Sequence, residues 1–532
     1  MRKITILAQN KQTNKIMSED QKQQLQSKLW DISNILRGKI NADDYRDYIL
    51  GFIFYKYLSE KQYLFATDIL VTEEFNEYLK ITDESVLSLI REESLQTLGY
   101  FLNPNELFSE ICKKGTKEYI LDDLNSIFRN IEQSTMGTES EDDFNALFED
   151  IDLQSTKIGK TVGARNEVIV NILQKLDDID FKLKEIDSDV LGDAYEYLIS
   201  KFASGAGKSA GEFYTPQQVS TILSKIVTTG KQKIKSVYDP TCGSGSLLLR
   251  ISNECEVNDY FGQELNRTTY NLARMNMILH DIHYRNFDIK QEDSLMKPQH
   301  MDHKFEAIVA NPPFSAHWKG KDNPLYNNDE RFSEYGKLAP KTKADYAFVQ
   351  HMIHHLADNG VMATVLPHGV LFRGSAEGVI RKYLISELNY LDAVIGLPAN
   401  IFFGTSIPTC ILVFKKCRKH DDSIMFIDAS GEEHFEKQKN QNVLRLQDID
   451  LIVDTYRKRK TIDKFSYSAS LDEIAENDYN LNIPRYVDTF EEEEPIDLIE
   501  VSNNLVSIRE QLKKSEAQMN DYCKQLGIPT PF

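Results

Sequence analysis

Three acidic residues and one asparagine fall, in order, where strand-like stretches of the chain stop: Asp239 in DPTCGSGSLLL, Glu264 in FGQEL, Asp293 in QEDSL and Asn311 in AIVANPPFS. The run of Ala, Ile and Val before Asn311 reads as a buried parallel strand. Pro312 and Pro313 must end it, because proline donates no backbone hydrogen bond and turns the residue before it away from helix. The stop delivers an amide side chain, two proline carbonyls and the Phe314 ring to a strand's carboxyl end, where open α/β sheets bind ligands. In DPTCGSGSLLL, Gly243 and Gly245 with Ser244 and Ser246 permit a tight strand-to-helix turn and close backbone approach to a ligand. Asp239 beside them could hold a cofactor's polar head; a generic turn is the plain alternative. The dinucleotide pattern G-x-G-x-x-G is broken, since Leu248 takes its last position. Glu264 lies 264 − 239 = 25 residues after Asp239, the position from which a carboxylate accepts hydrogen bonds from a ribose diol, or simply meets solvent. Asp293 could orient an adenine ring by its amino group or cap a helix. Three successive acidic strand ends point to an adenosine-containing cofactor.

The elements that must position these groups alternate from Lys235 onward. KSVYDP, DYFGQE, NFDIKQEDSL and FEAIVANPPF read as strands, RTTYNLARMNMILH and DYAFVQHMIHHLADN as helices, and GVMATVLP, LDAVIGLP and TCILVFKK as further strands. This order predicts an α/β fold, a parallel twisted sheet covered on both faces, with an antiparallel hairpin at one edge. Before it, from Gln21 to about Phe181, apolar residues recur at helical spacing, as in Ile35, Leu36, Ile40, Tyr48, Ile49, Phe52, Ile53 and Leu58. The acidic stretch EQSTMGTESEDD reads as an exposed loop within that region. The Gly, Ser and Ala density of SGAGKSAGEFYTPQQV sets a boundary near residue 185. After about residue 435 the sheet is expected to be finished, and Val501, Leu505, Ile508, Leu512 and Met519 form a heptad-like seam on a terminal helix. The expected domains are a disordered extension over 1–16, a helical domain over 17–185, a catalytic domain over 186–435, and a linker with helical tail over 436–532.

The chain's 532 residues suggest about two to four domains. The formal charge is 62 − 82 = −20, which opposes a protein that coats nucleic acid by a global basic field. Any DNA contact must be local or made through a partner. The six cysteines include no C-x-x-C pair, so neither a zinc ribbon nor a disulfide framework is expected, and reduced thiols in a cytoplasm fit best. The opening MRKITILAQNKQTNK has too short an apolar core for a signal peptide, and no run of about 18 apolar residues follows. Neither export nor a membrane span is expected.

With NPPF on the fourth strand, the set resembles the amino-methyltransferases that use S-adenosylmethionine, whose signature of Asp, Asn or Ser, then Pro-Pro, then an aromatic is intact in Asn311, Pro312, Pro313 and Phe314. The resemblance implies that the Asn side-chain oxygen and the first proline's carbonyl accept hydrogen bonds from an exocyclic amino group, freeing its nitrogen lone pair for attack on the sulfonium methyl. It implies that Phe314 stacks on a base flipped out of duplex DNA. In the subgroup that methylates adenine N6 with this motif order, the segment Glu212, Phe213, Tyr214, Thr215, Pro216 and Gln217 covers the cofactor's methionine end. Together with DVLGDAYEYLISKF, DYILGFIFYKYLSEK and DYNLNIPRYVD, the chain looks like the modification subunit of a type I restriction-modification system, over about residues 20 to 525. That implies an adenine-N6 DNA methyltransferase with a Rossmann-like sheet, two copies flanking one specificity subunit, and a restriction subunit joining to cut. The competing readings are a methyltransferase of RNA or protein glutamine, a self-contained DNA adenine methyltransferase, and a scaffold that has lost turnover. The long helical N-terminal region argues against the first, and intact Asn311 and Phe314 argue against the last.

Other patterns carry less. GAGKS lacks the first Gly of a phosphate loop, since Phe202 stands there. HMIHH puts His351 and His355 one turn apart, but Met352 replaces the Glu of H-E-x-x-H, so a helix face is expected and no metal. The run Arg457 to Lys460 reads as a solvated surface ahead of a DNA clamp.

Overall fold

The computed structural model describes residues 19–33, 42–72, 78–181, 183, 189–205, 215–402, 405–439, 441–489 and 498–531. The expected extension over 1–16, the GAGKS stretch from position 206 onward, and Glu212, Phe213 and Tyr214 lie outside them. By the density of its internal contacts the chain forms two units, Met1–Val487 and Asp488–Phe532.

Among the described residues the first unit begins with eight α-helices, α1 (Glu19–Ser33), α2 (Ala42–Thr72), α3 (Glu84–Thr97), α4 (Phe108–Gly115), α5 (Leu121–Ser134), α6 (Glu141–Phe144), α7 (Val162–Asp177) and α8 (Asp189–Gly205). Their caps are local: the Asp83 side chain accepts from the Ser85 amide and Thr161 from the Ala164 amide. Aromatic packing fastens the long α2 to its neighbours, with Phe128 stacked on Phe148 at 4.5 Å and Tyr55 edge-on to Phe128 at 5.6 Å. The acidic stretch expected to be an exposed loop is instead the end of α5, tight turns and the start of α6. Thr135, Ser140 and Asp143 are buried there; the two hydroxyls turn back onto backbone carbonyls, as Ser140 does on Gly99 at 2.5 Å.

The sheet strands are β1 (Lys233–Asp239), β2 (Glu256–Glu264), β3 (Phe287–Gln291), β4 (Phe305–Ala310), β5 (Leu356–Pro367), β6 (Leu391–Gly396), β7 (Thr409–Lys415), β8 (Ile424–Asp428) and β11 (Ser466–Ala469), in the order β11-β8-β6-β7-β5-β4-β1-β2-β3. A separate ribbon pairs β9 (Glu436–Lys437) with β10 (Asn442–Val443). Helices α9 (Gln217–Val227), α10 (Ser246–Arg250), α11 (Arg267–Leu279), α12 (Asp345–His355), α13 (Ser375–Lys382), α14 (Leu446–Lys458) and α15 (Leu471–Glu476) complete the unit. Alternate strand residues enter two different cores: Val237, Ala307, Val309 and Ala363 one, Tyr238, Ile308, Ala310 and Met362 the other. Burial on both faces is why these strands read as unbroken apolar runs.

Two expectations about the sheet are corrected. The β6–β7 hairpin is not at an edge, since β7 runs between β5 and β6 and is antiparallel to both, while the edge strand β11 is itself antiparallel to β8. Nor does the sheet end near residue 435, because β11 adds to it against β8. Its sequence, SYSA, is that of a polar edge strand and carries no apolar run. The first strand β1 lies between β2 and β4, so the chain reverses its direction of winding there. At that reversal the carboxyl ends diverge and leave a crevice, and Asp239 and Asn311 stand on its two sides.

The second unit holds α16 (Leu498–Leu526), along which Val501, Leu505, Ile508, Leu512 and Met519 are exposed. Among the described residues no helix is long and apolar enough to cross a membrane.

Candidate active site

The turn after β1 is built on backbone conformation. Gly243 and Gly245 have φ of +56° and +78°, left-handed values that glycine reaches without steric cost. Their loop is tied down from two sides: the Gly243 amide donates to Glu264 Oε2 at 3.0 Å, and Asn276 Nδ2 donates to the Ser244 carbonyl at 3.0 Å. Ser244 and Ser246 bond each other through their hydroxyls at 3.0 Å. Glu264 also accepts the Asn266 amide on Oε1 at 2.7 Å, so its carboxylate joins the β1 turn to the start of α11. A carboxylate has about four acceptor positions, so these amides leave capacity for a ligand's hydroxyl. Burial pushes the Glu264 carboxyl up, against the pull of these backbone donors. Asp239, fully buried at the end of β1, accepts the Thr241 amide at 2.8 Å, and burial pushes it up to about 7, aided by the nearby Glu264 charge.

On the other side of the crevice β4 ends and the chain turns through NPPF. Asn311 Nδ2 donates to Thr215 Oγ1 at 3.2 Å, which leaves Oδ1 as the amide's acceptor. That Oδ1 is buried with no hydrogen-bond partner among the described residues. A buried acceptor left open costs free energy unless something fills it, and so marks a place for a donor. Phe314 is half-buried, with the Phe402 ring edge-on to it at 5.5 Å and 84°. Ser315, the next residue, has φ of +51°.

Between the two sides lies a cavity of about 590 Å³, inside the range of about 300–1,000 Å³ usual for small-molecule sites. Glu264, Asp293, Asn311 and Pro313 are on its wall, with Pro240, Thr241, Asn266, Trp318 and Phe348. Of the other residues singled out from sequence, Asp239, Gly243, Ser244, Gly245 and Ser246 form the strand end and turn behind the Pro240–Thr241 wall. Pro312 is buried, and Thr215 reaches the site through Asn311; Pro216 and Gln217 open α9 without lining the cavity. Asp293 Oδ1 accepts the Leu295 and Met296 amides at 2.9 and 3.0 Å, so it caps the turn after β3 while facing the cavity.

Sequence reading missed the second ring, Phe402, and the residues that brace the turn, Asp345 and Arg373, because the fold alone brings them to NPPF. Asn266 sits two residues past Glu264, so the strand-to-helix junction itself was a usable signal. Both His351 and His355 are buried in α12; His351 bonds Tyr238 OH at 3.0 Å and Arg331 Nη1 at 3.1 Å, and burial holds both imidazoles below their usual range. Among the described residues only Asp193, Glu196 and His280 bring three metal-type donors within 4.8 Å of one another, and Glu196 already pairs with Arg250 at 3.3 Å. In the basic run, Arg459 pairs with buried Asp392 at 3.1 Å and Arg457 bonds the Lys225 carbonyl at 3.0 Å, so two of its four residues hold the fold.

Sequence comparison matches residues 186–495 to the N-6 DNA methylase family and residues 25–176 to the HsdM N-terminal domain. The chain is 37% identical to the type I restriction enzyme MpnII methylase subunit of Mycoplasma pneumoniae, over 96% of this chain and 97% of that one. It is 35% identical to the HindI methylase subunit of Haemophilus influenzae over 64% of this chain and 78% of that one. Its structure is similar to the crystal structure of the type I restriction-modification system methyltransferase subunit from Streptococcus thermophilus, with a TM-score of 0.80 and 43% identity, covering 88% of this chain and all of that one.

Proposed function

The chain belongs to the N-6 DNA methylase family and is a type I restriction-modification methylase subunit, an adenine-specific DNA methyltransferase; from that premise we propose that S-adenosylmethionine occupies the 590 Å³ cavity and that Asn311 directs the target adenine to it. The observation that carries this reading is the buried Oδ1 of Asn311, a residue of the cavity wall, which has no partner among the described residues. The residues present fit the cofactor: a glycine turn for close backbone approach, anchored at its start by buried Asp239, and Glu264 with acceptor capacity left for a ribose diol. When bound, S-adenosylmethionine supplies an electrophilic methyl group.

The protein's own contribution is positioning and electrostatics. Asn311 Oδ1 and the Pro312 carbonyl accept the two N–H bonds of adenine's amino group, which directs its nitrogen lone pair away from both acceptors and toward the cavity. Two consecutive prolines keep those acceptors rigid. Phe314, backed by Phe402, offers a face for stacking a base that has left the duplex. The Thr215 hydroxyl fixes the Asn311 amide so that oxygen, not nitrogen, faces the substrate.

A partner supplies sequence recognition. With a formal charge of −20 the chain has no composition-wide attraction for phosphates, and the exposed Val501–Met519 seam of α16 suits partner helices of a specificity subunit. Two copies of this chain per specificity subunit, with a restriction subunit joining, act in the cytoplasm. The experiment is tritiated methyl transfer to DNA, RNA and protein by the co-purified complex, where label confined to adenine in DNA supports the reading and label in RNA or protein contradicts it.

A further inference from the structure

Ser315 holds a left-handed backbone conformation that an L-residue other than Asn, Asp or Gly seldom adopts. The contact inside the turn is weak, since the Ala316 amide reaches the Pro313 carbonyl only at 3.4 Å. The shortest hold on Ser315 comes from outside it. Asp345, in the first turn of α12, accepts the Ser315 amide on Oδ1 at 2.8 Å and the Ser315 hydroxyl on Oδ2 at 3.4 Å. Beside it the Ala344 amide donates to the Ala316 carbonyl at 2.9 Å. Asp345 is 1% exposed, and a buried carboxylate needs a cation. Arg373 supplies one, with Nη2 on Asp345 Oδ2 at 3.1 Å and Nη1 on Glu377 Oε1 at 3.1 Å. Glu377, 2% exposed, fixes the guanidinium from the far side.

We propose that Asp345 is the positioning residue of the catalytic turn: its carboxylate, oriented by Arg373, holds Ser315 in the left-handed conformation and thereby sets where the Pro312 carbonyl and the Phe314 ring point. The inference rests on the reading of Asn311 and Pro312 as acceptors of the adenine amine. Asp345 does not touch the substrate; it acts through Ser315. If Ser315 relaxes to an ordinary φ, the peptide planes on both sides rotate, and Phe314 moves relative to Asn311 while the cavity walls contributed by Glu264 and Asp293 stay in place. The cost falls on turnover and not on cofactor binding.

The Ser315 conformation also provides the test, since glycine reaches positive φ without help. In the full chain with its specificity subunit, Asp345→Ala is expected to lower kcat by about 100-fold, the scale of a misplacement of about 1 Å. Its S-adenosylmethionine affinity by calorimetry should stay within about twofold. Adding Ser315→Gly to Asp345→Ala should recover kcat by about tenfold, because the turn no longer needs the carboxylate to hold it. Where Asp345→Ala does not fold, Asp345→Asn carries the same comparison: it keeps one acceptor and the shape but turns a donor toward Arg373. Wild-type transfer with no loss of kcat in the Asp345 variants, or a loss that Ser315→Gly does not relieve, overturns the positioning role alone. A wild-type complex that methylates no adenine overturns the functional reading and this inference with it.

Discussion

Replacing Glu264 by Gln probes the cofactor side of the site with almost no change of shape. In the wild type both carboxylate oxygens accept backbone amides, from Gly243 at 3.0 Å and from Asn266 at 2.7 Å. Gln offers one acceptor and one donor, so one of those amides must face an NH₂ group, and the turn or the start of α11 has to shift. The variant also removes the negative charge that strengthens hydrogen bonds from ribose hydroxyls. A hydrogen bond to a charged group is worth about 1.5–3 kcal/mol, which corresponds to an S-adenosylmethionine affinity weaker by about 10- to 150-fold. Glu264→Ala, which removes every acceptor, should fall at the upper end of that range or beyond it. The assay is isothermal calorimetry on protein whose circular dichroism and melting temperature show it folded. An unchanged Kd in a folded Glu264→Gln protein would remove the residue from the cofactor site and with it the argument from the strand ends.

Asn311→Ala is expected to abolish methyl transfer while S-adenosylmethionine binding, measured in the same preparation, changes little, since on the proposed reading the cofactor is held mainly from β1, β2 and β3. Phe314→Tyr should keep activity because stacking persists, whereas Phe314→Ala should weaken capture of the flipped base by about 1–3 kcal/mol, read as a raised KM for DNA. Asp239 has a folded pKa of about 7, above its ordinary value of 3.8, so its contribution to stability is fully present below pH 3.8 and is lost as pH rises toward 7. Asp239→Asn imitates the protonated form, so urea titrations should show it gaining on the wild type between pH 3.8 and about pH 7 and levelling off above that; a constant difference between those values would contradict the assignment. The chain expressed without its specificity subunit should show little site-specific adenine methylation, and robust activity alone would instead indicate a self-contained enzyme.

What was legible in the sequence was what is local in the chain. Asp239, Glu264 and Asn311 each end an apolar strand, and the punctuation that marks those ends, glycine or proline, stands within a few residues, so strand, turn and ligand-facing group could be read together. The position of β7 was not legible, because two apolar strands buried on both faces give no sign of which neighbours they pair with. The edge strand β11 was hidden by its polar composition, Ser466, Tyr467, Ser468 and Ala469, which suits an edge and reads as linker. Asp345 and Phe402 stand 34 and 91 residues past Asn311 (345 − 311 and 402 − 311), and only the return of the chain at α12 and after β6 brings them to the catalytic turn. Asp293 was read as either an adenine-orienting group or a cap; the structure gives it the cap bonds and a place on the cavity wall at once.

The measurement that bears most directly on the account is the identity and yield of the methylated base formed by the complex of this chain with its specificity subunit, comparing wild type with Asn311→Ala by mass spectrometry of digested DNA. The account predicts N6-methyladenine from the wild type and none above background from Asn311→Ala, with S-adenosylmethionine affinity preserved in both. N6-methyladenine formed at the wild-type rate by Asn311→Ala would contradict it, because the open acceptor at the end of β4 would then have no part in the transfer.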